Sequence, residues 1–509
     1  MKVISGDRRI DGILITEDGG FDNPVLSFHQ TNTLGTGVTI SYNFLTSSDL
    51  PNFEVMNGSQ RTAVMNILAM FETFANITFV EVADGQEADI QFGNAALDGD
   101  GSGTVGITYL NFGTVDGTYG WMDEVDVYLT NDTVNDASEY VSPQPDSFAY
   151  GVLIHEIGHA VGLEHPFYGI LTPQGTDSTE YSVMSYTDGF AQVEEPRTVM
   201  PFDVLALQYL YGANLSHNAG NTLHDIADFD DNSIQTIWDA GGTDTVDLSN
   251  LTQAGPRFDG RSLNFVNLDV LIDTGAKVFV AEGSNLEHVI GSNFADWVIG
   301  NRLGNNISVG PGDDLIETRG GADNTTGGSG ADFLVNSAGN DIFRGQSGDD
   351  SAVGQTGDNY FSGGTGDDFL LGGLGEDRLE GGSGDDVLAG DGYSKFFGSD
   401  DRLDGGDDDD LLMGGLGADV FVFRPFEGSD TIAKFDLDTE AIIGTDFQVG
   451  EDTLMLLGFG YDTAQDALAN FTSTATGVTF SSSGTTIQIR GIDLDDLTAD
   501  SFIFSDVGG

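Results

Sequence analysis

Three short stretches near the start of the chain alternate apolar and polar residues: TGVTISYNFL (36–45), ITFVEV (77–82) and ADIQFGN (88–94). Their β-branched and aromatic content predicts strands. Between the first two, Val64, Ile67, Leu68, Phe71 and Phe74 recur at helical spacing behind a capping residue, Ser59, which predicts an amphipathic helix with a core-facing stripe. A second helix is expected from Ser147 through Val161, and a third through FDVLALQYLYG (202–212), ended by Gly212 and Asn214. Residues 21–215 therefore read as one mixed α/β globular domain, with strands over 216–290 leading onward.

From Gly291 the period changes to nine. Eleven nonapeptides run without a slip to residue 389, GDGYSK (390–395) interrupts them, and three more start at Phe396, Gly405 and Gly414. Their sixth positions are Asp296, Asn305, Asp314, Asp323, Asp332, Asp341, Asp350, Asn359, Asp368, Asp377, Asp386, Asp401, Asp410 and Asp419, and the eighth is apolar everywhere except at Thr325. This G-G-x-G-x-D-x-U-x pattern predicts a parallel β-roll over 291–422, two repeats per turn, so that the eighth residues of opposite strands meet inside. A flexible glycine-rich linker has no reason to hold that spacing. Glycines such as Gly328, Gly330, Gly364, Gly366, Gly373, Gly375, Gly382 and Gly384 let the turns aim carbonyls inward, and the aspartates add charged oxygens, the ligand set that Ca²⁺ prefers. The tail, 423–509, returns to ordinary strand texture and is expected to cap the roll.

Composition sharpens this picture. The chain has 83 acidic against 17 basic residues, a formal net charge of −66, which argues against nucleic acid and anionic membranes as partners. With no cysteine, any metal must be held by histidine, carboxylate, tyrosine or carbonyl. No apolar run approaches the roughly 20 residues of a membrane span, so no membrane insertion is expected. The opening MKVISGDRRIDGILITEDGG lacks the h-region of a classical cleaved secretion signal.

Three of the seven histidines fall in HEIGHAVGLEHP (155–166). His155 and His159 are four apart and share one helix face, while Gly162 can end the helix and return His165 to the same point. Three imidazoles would leave the fourth position of a tetrahedral Zn²⁺ open for water. Glu156 is then the candidate general base. A merely packed helix explains Ile154, Ile157 and Val161 but not the histidines.

This extended H-E-x-x-H-x-x-G-x-x-H motif, with SVMSY at 182–186, resembles the metzincin zinc peptidases. Together with ADIQFGN, LQYLYGANLS, WDAGGTDTVDLS, the nonapeptides and GADVFVF followed by GSDTI, the chain is similar to the serralysin family of secreted metalloproteases. The resemblance implies an α+β metzincin catalytic domain, an RTX β-roll and a β-rich C-terminal cap. It implies one catalytic Zn²⁺ on His155, His159 and His165, with Glu156 as base, Met184 in the turn beneath the metal, and Tyr186 as an extra ligand that swings away to stabilise the tetrahedral intermediate. It implies several structural Ca²⁺ ions in the array, and others upstream on Gly220, Thr222, Asp239, Gly241, Gly242, Asp244 and Glu287.

Further implications are a pro-segment within residues 1–20, a substrate peptide extended along an edge strand formed by ADIQFGN, and a monomer exported by type I secretion machinery through an uncleaved C-terminal signal, DSFIFSDVGG. The expected function is a secreted, calcium-stabilised zinc endopeptidase. The alternative is a non-catalytic calcium-binding surface or adhesive protein with an inactive peptidase-like domain. A lipase would need a G-x-S-x-G elbow, which the sequence lacks.

Overall fold

A computed structural model describes residues 10, 14, 25–28, 33–84, 86–97, 104–115, 119–131, 138–145, 147–166, 178–179, 181–187, 195–225, 233–251, 257–258, 261–262, 264–267, 278–280, 284, 286–391, 398–436 and 441–504. Most of the expected pro-segment and the last five residues of the expected export signal lie outside them. The chain forms two units, one of residues 1–222, 228–244 and 270–285, the other of 223–227, 245–269 and 286–509.

The first unit holds a six-stranded sheet: β1 (Val25–Ser27), β2 (Val38–Phe44), β3 (Ile77–Glu81), β4 (Ile90–Ala95), β5 (Gly106–Val115) and β6 (Tyr119–Thr130). Among the described residues three helices longer than two turns accompany it, α1 (Gly58–Phe74), α2 (Phe148–Ala160) and α3 (Pro201–Tyr211), besides the single turn Ser138–Val141. The predicted stripe of α1 is buried in full. Its cap, however, is Asn57 and not Ser59: the Asn57 side chain accepts the N–H groups of Ser59 and Gln60, and Gln60 returns a bond to Asn57 N–H, which starts the helix two residues earlier.

The strand ADIQFGN is not an edge. As β4 it pairs in parallel with β2 on one side (Tyr42↔Ile90) and with β6 on the other (Ile90↔Val125), and all six of its residues are buried. Among the described residues β5 has a free side, because it runs antiparallel to β6 (Gly106↔Leu129) and pairs with nothing else, while β1 and β3 likewise have one partner strand each. Alternating hydrophobicity marks a strand, but its place in the sheet depends on partners distant in sequence.

The second unit is a β-roll of two twelve-stranded sheets, parallel throughout the nonapeptide array. Strands pair at a shift of eighteen residues, Asn306 with Asn324 and Leu315 with Phe333, so each turn consumes two nonapeptides. The six-residue insertion lengthens one shift in each sheet to twenty-four (Arg378↔Arg402 and Val387↔Leu411) without breaking register. Every eighth-position residue from Val298 to Phe421 is buried, Thr325 included. Each large one removed from water contributes about 1.5–3 kcal/mol, which sets the register. Both sheets continue past residue 422, one through Thr453–Leu456 and Phe502–Ile503, the other through Gly428–Ile432 and Thr485–Arg490 into an antiparallel hairpin.

Candidate metal sites

Helix α2 carries the first two histidines. Ser147 caps it by accepting Tyr150 N–H, and Gly162, at φ 103°, stops it. Gly162 N–H then bonds to the His159 carbonyl, and Leu163 N–H to that of Gly158, at 3.0 and 2.9 Å, a Schellman turn that sends the chain back toward His165.

The three side chains converge on one point. His165 Nε2 lies 3.1 Å from His155 Nε2 and 3.2 Å from His159 Nε2. His155 Nδ1 bonds to the Val183 carbonyl at 2.9 Å and His159 Nδ1 to the Leu163 carbonyl at 2.8 Å, so both carry their protons on Nδ1 and aim Nε2 lone pairs inward. His165 Nδ1 sits 2.9 Å from Glu164 Oε1. Lone pairs crowded this closely repel unless a cation stands among them. A tetrahedral Zn²⁺ with Zn–N near 2.05 Å needs N···N separations of about 3.3 Å, so the donor set fits that ion. Burial, reinforced by the neighbouring imidazoles, pushes His155 down to about 3 and His159 to about 4, keeping both neutral for ligation.

The Glu156 side chain lies against β5. The Thr108 hydroxyl donates to its Oε2 at 2.6 Å, and a Cβ on Gly106 would lie 2.7 Å from its Cγ. Burial raises its carboxyl to about 7 against the opposing pull of the Thr108 bond. Beneath α2, a Cβ on Gly158 would stand 2.6 Å from the sulfur of fully buried Met184, so only glycine lets that turn pack there. The turn is pinned by Asp203 in the first turn of α3, which accepts Ser182 Oγ at 2.6 Å, Val183 N–H at 2.8 Å and Met200 N–H at 2.9 Å. Tyr186 stacks on His155 at 5.2 Å between ring centres yet is 68% exposed.

Sequence reasoning singled out the three histidines and Glu156 but missed Gly106, Thr108 and Asp203 as their neighbours. An acidic residue just inside a helix start was a readable sign for Asp203; nothing local marked the other two.

In the roll, each sixth-position residue from Asp296 to Asp401 donates its N–H to the side chain eighteen or twenty-four residues on, as Asp332 does to Asp350 Oδ1 at 2.8 Å and Asp386 to Asp410 Oδ1 at 2.9 Å. The second oxygens of Asp314, Asp323, Asp332, Asp350, Asp368, Asp377, Asp386, Asp401, Asp410 and Asp419 are buried and meet no donor. Burial raises their carboxyls, from about 6 at Asp332 to about 9 at Asp401 and Asp410. Buried unpaired carboxylate oxygens are costly without a cation, so this row suits Ca²⁺. The glycines expected to serve it, Gly328, Gly330, Gly364, Gly366, Gly373, Gly375, Gly382 and Gly384, all lie at φ between 108° and 130°.

The row outruns the array: Asp410 N–H bonds to Asp430 and Asp419 N–H to Asp452. The D-x-apolar pairs of GSDTI and GEDTL were the sequence signal, stripped of their glycines. Asp341 differs, because its second oxygen accepts the Asn336 amide.

Upstream, the structure brings two loops of the first unit together. Thr222 N–H bonds to Asp244 Oδ1 at 2.7 Å, Thr222 Oγ1 to the Gly220 carbonyl at 2.8 Å, and Gly241 N–H to Asp239 Oδ1 at 3.0 Å. Gly242, at φ 150°, abuts the Gly220 backbone. Glu287 belongs to the second unit, where its carbonyl accepts Asn306 N–H.

A family model for the RTX calcium-binding nonapeptide repeat matches residues 299–334, 335–370, 362–392 and 398–421. Serralysin G of Dickeya chrysanthemi is 30% identical over 316 residues, 55% of this chain and 63% of that protein. Metallopeptidase AprA of Pseudomonas marginalis is 30% identical over 309 residues, covering 53% and 61%, and metalloprotease AprA of Pseudomonas entomophila (strain L48) 31% over 320, covering 55% and 62%. The chain thus spans 61–63% of the length of these curated relatives. The chain is thus similar to serralysin-type metalloproteases over about half its length, and it carries RTX calcium-binding nonapeptide repeats.

Proposed function

We propose that this protein is a secreted zinc endopeptidase stabilised by calcium, with a metzincin-type catalytic domain over 21–215, the roll over 291–422 and a cap over 423–509. The observation that carries this reading is the convergence of three Nε2 atoms on one point with a buried glutamate one residue from the first ligand. His155, His159 and His165 would hold Zn²⁺, which supplies Lewis-acid polarisation of a carbonyl and a nucleophilic water at neutral pH.

Glu156 takes the proton from the attacking water and returns it to the leaving amine. Its carboxyl, lifted by burial, is suited to both halves of that transfer. Thr108 fixes which oxygen faces the site, and the space at Gly106 lets the glutamate lie against β5. The free side of β5 offers main-chain groups to an extended substrate, a mode that tolerates many sequences. Tyr186, exposed beside His155, donates to the oxygen that gains charge as the scissile carbonyl is attacked. Low cytosolic calcium would leave the roll's weak sites empty until the chain is outside the cell. Export through a type I system by a C-terminal signal, and action as a monomer on protein substrates, complete the proposal.

The test is casein hydrolysis by Glu156→Gln with zinc measured by mass spectrometry. Activity should vanish while zinc stays; an active variant would refute the assignment of the base.

A further inference from the structure

The two edges of the roll are chemically unequal. On the edge running from Asp314 through Asp332, Asp350, Asp368 and Asp386 to Asp410, every sixth residue is an aspartate whose second oxygen is buried without a donor. A Cβ built on Gly345 would collide with both Asp350 Oδ2 and the Gly363 carbonyl oxygen, and one on Gly381 with both Asp386 Oδ2 and the Gly405 carbonyl oxygen. A carboxylate oxygen and the carbonyl of the next turn therefore approach one spot, step after step, as a cation site requires.

Two successive turns on the opposite edge break this rule. At the first position of one repeat stands Asn336 instead of glycine. It is buried, and its Nδ2 donates to Asp341 Oδ2, the oxygen that along the other edge, from Asp314 to Asp410, is left without a donor. Asn359, one turn on, takes the place of the aspartate itself. Its Oδ1 accepts Asp341 N–H at 3.1 Å, which fixes the amide's orientation, and its Nδ2 donates to the carbonyls of Gly357 at 3.0 Å and Gly372 at 3.2 Å. The Gly372 carbonyl corresponds to the Gly363 and Gly405 carbonyls of the other edge. Here it faces a donor, and a cation cannot share a space with an N–H pointing into it.

We infer that these two turns hold no Ca²⁺, and that the side-chain amides of Asn336 and Asn359 satisfy the buried oxygens that the ion satisfies elsewhere in the roll. The inference rests on the reading of the remaining turns as calcium sites. It makes the roll a mixed structure: a continuous cation row along one edge, and on the other a stretch, between Asp323 and Asp377, whose turns close by hydrogen bonds alone. That stretch keeps its register whether or not calcium is present.

The test is calcium stoichiometry of the full chain after equilibrium dialysis against calcium, read by plasma mass spectrometry. Asp341→Asn should leave the count unchanged, and a lost ion would overturn the inference. Asp350→Asn should lose about one ion; if it loses none, the calcium reading of the roll fails instead, and the two failures are told apart. Restoring the repeat pattern with Asn336→Gly and Asn359→Asp together should add about one to two ions. No gain in that variant, folded by circular dichroism, would equally overturn the inference, and Asp341→Asn decides if it unfolds.

Discussion

Asp203 and Val183 tie the third helix to the first of the three converging histidines: Asp203 Oδ2 accepts Val183 N–H at 2.8 Å, while the carbonyl of Val183 takes the Nδ1 proton of His155 at 2.9 Å. A fully buried carboxylate thus sets the tautomer of a histidine on another helix. Asp203→Ala should weaken zinc binding by roughly 10–100-fold, the usual cost of losing such support, and lower the thermal midpoint because three donors lose their acceptor. Competition with a chromogenic chelator measures the first effect; unchanged affinity would show that the turn holds without Asp203.

Gly158 sits in the interior of a helix, where alanine is intrinsically preferred by about 0.5–1 kcal/mol. Its added methyl would nevertheless meet the Met184 sulfur at 2.6 Å. Gly158→Ala should therefore destabilise the first unit, and calorimetry showing a stabilised variant would mean that the Met184 turn shifts at little cost.

Thr108→Val should lower kcat with KM and zinc content nearly unchanged, since it frees Glu156 Oε2 without touching a ligand. Gly106→Ala should act in the same direction and more strongly, by pressing on the glutamate itself. Equal losses in zinc content would assign both residues to folding instead.

Tyr186→Phe should depress kcat more than it raises KM, because the phenol is assigned to the developing negative charge. A change confined to KM would place Tyr186 in substrate binding.

Without calcium, the roll's aspartates titrate high: burial holds the carboxyls of Asp332, Asp350, Asp368, Asp386 and Asp401 between about 6 and about 9 in the folded state. A raised folded pKa favours the folded state at low pH and loses that contribution as pH climbs through 6 to 9. In EGTA the melting midpoint of the roll should therefore rise as pH falls from about 9 toward 5. Calcium should abolish the trend and release protons on binding. A midpoint in EGTA that falls with falling pH would contradict this.

The convergence of the three histidines was legible because four-residue spacing on a helix and a terminating glycine are local facts. The roll was legible for a similar reason: a nine-residue period with an apolar eighth position permits only one register in which those side chains meet inside. Thr325, the one polar exception, is buried with the rest because its neighbours on both sides carry the period.

Tertiary structure decided what periodicity does not encode. ADIQFGN reads as a strand from its own residues, but only the positions of β2 and β6 make it interior and leave a free side on β5. Gly106 and Thr108 matter because that strand happens to border Glu156, and Asp203 because α3 begins under the turn around Met184. In the roll, the sixth-position pattern ranks Asp341 with its neighbours. The fold alone brings Asn336 within reach of it and turns the Asn359 amide onto a carbonyl thirteen residues away. Spacing along a chain determines which side chains can share a face; what fills the space between two faces depends on residues that no local pattern connects.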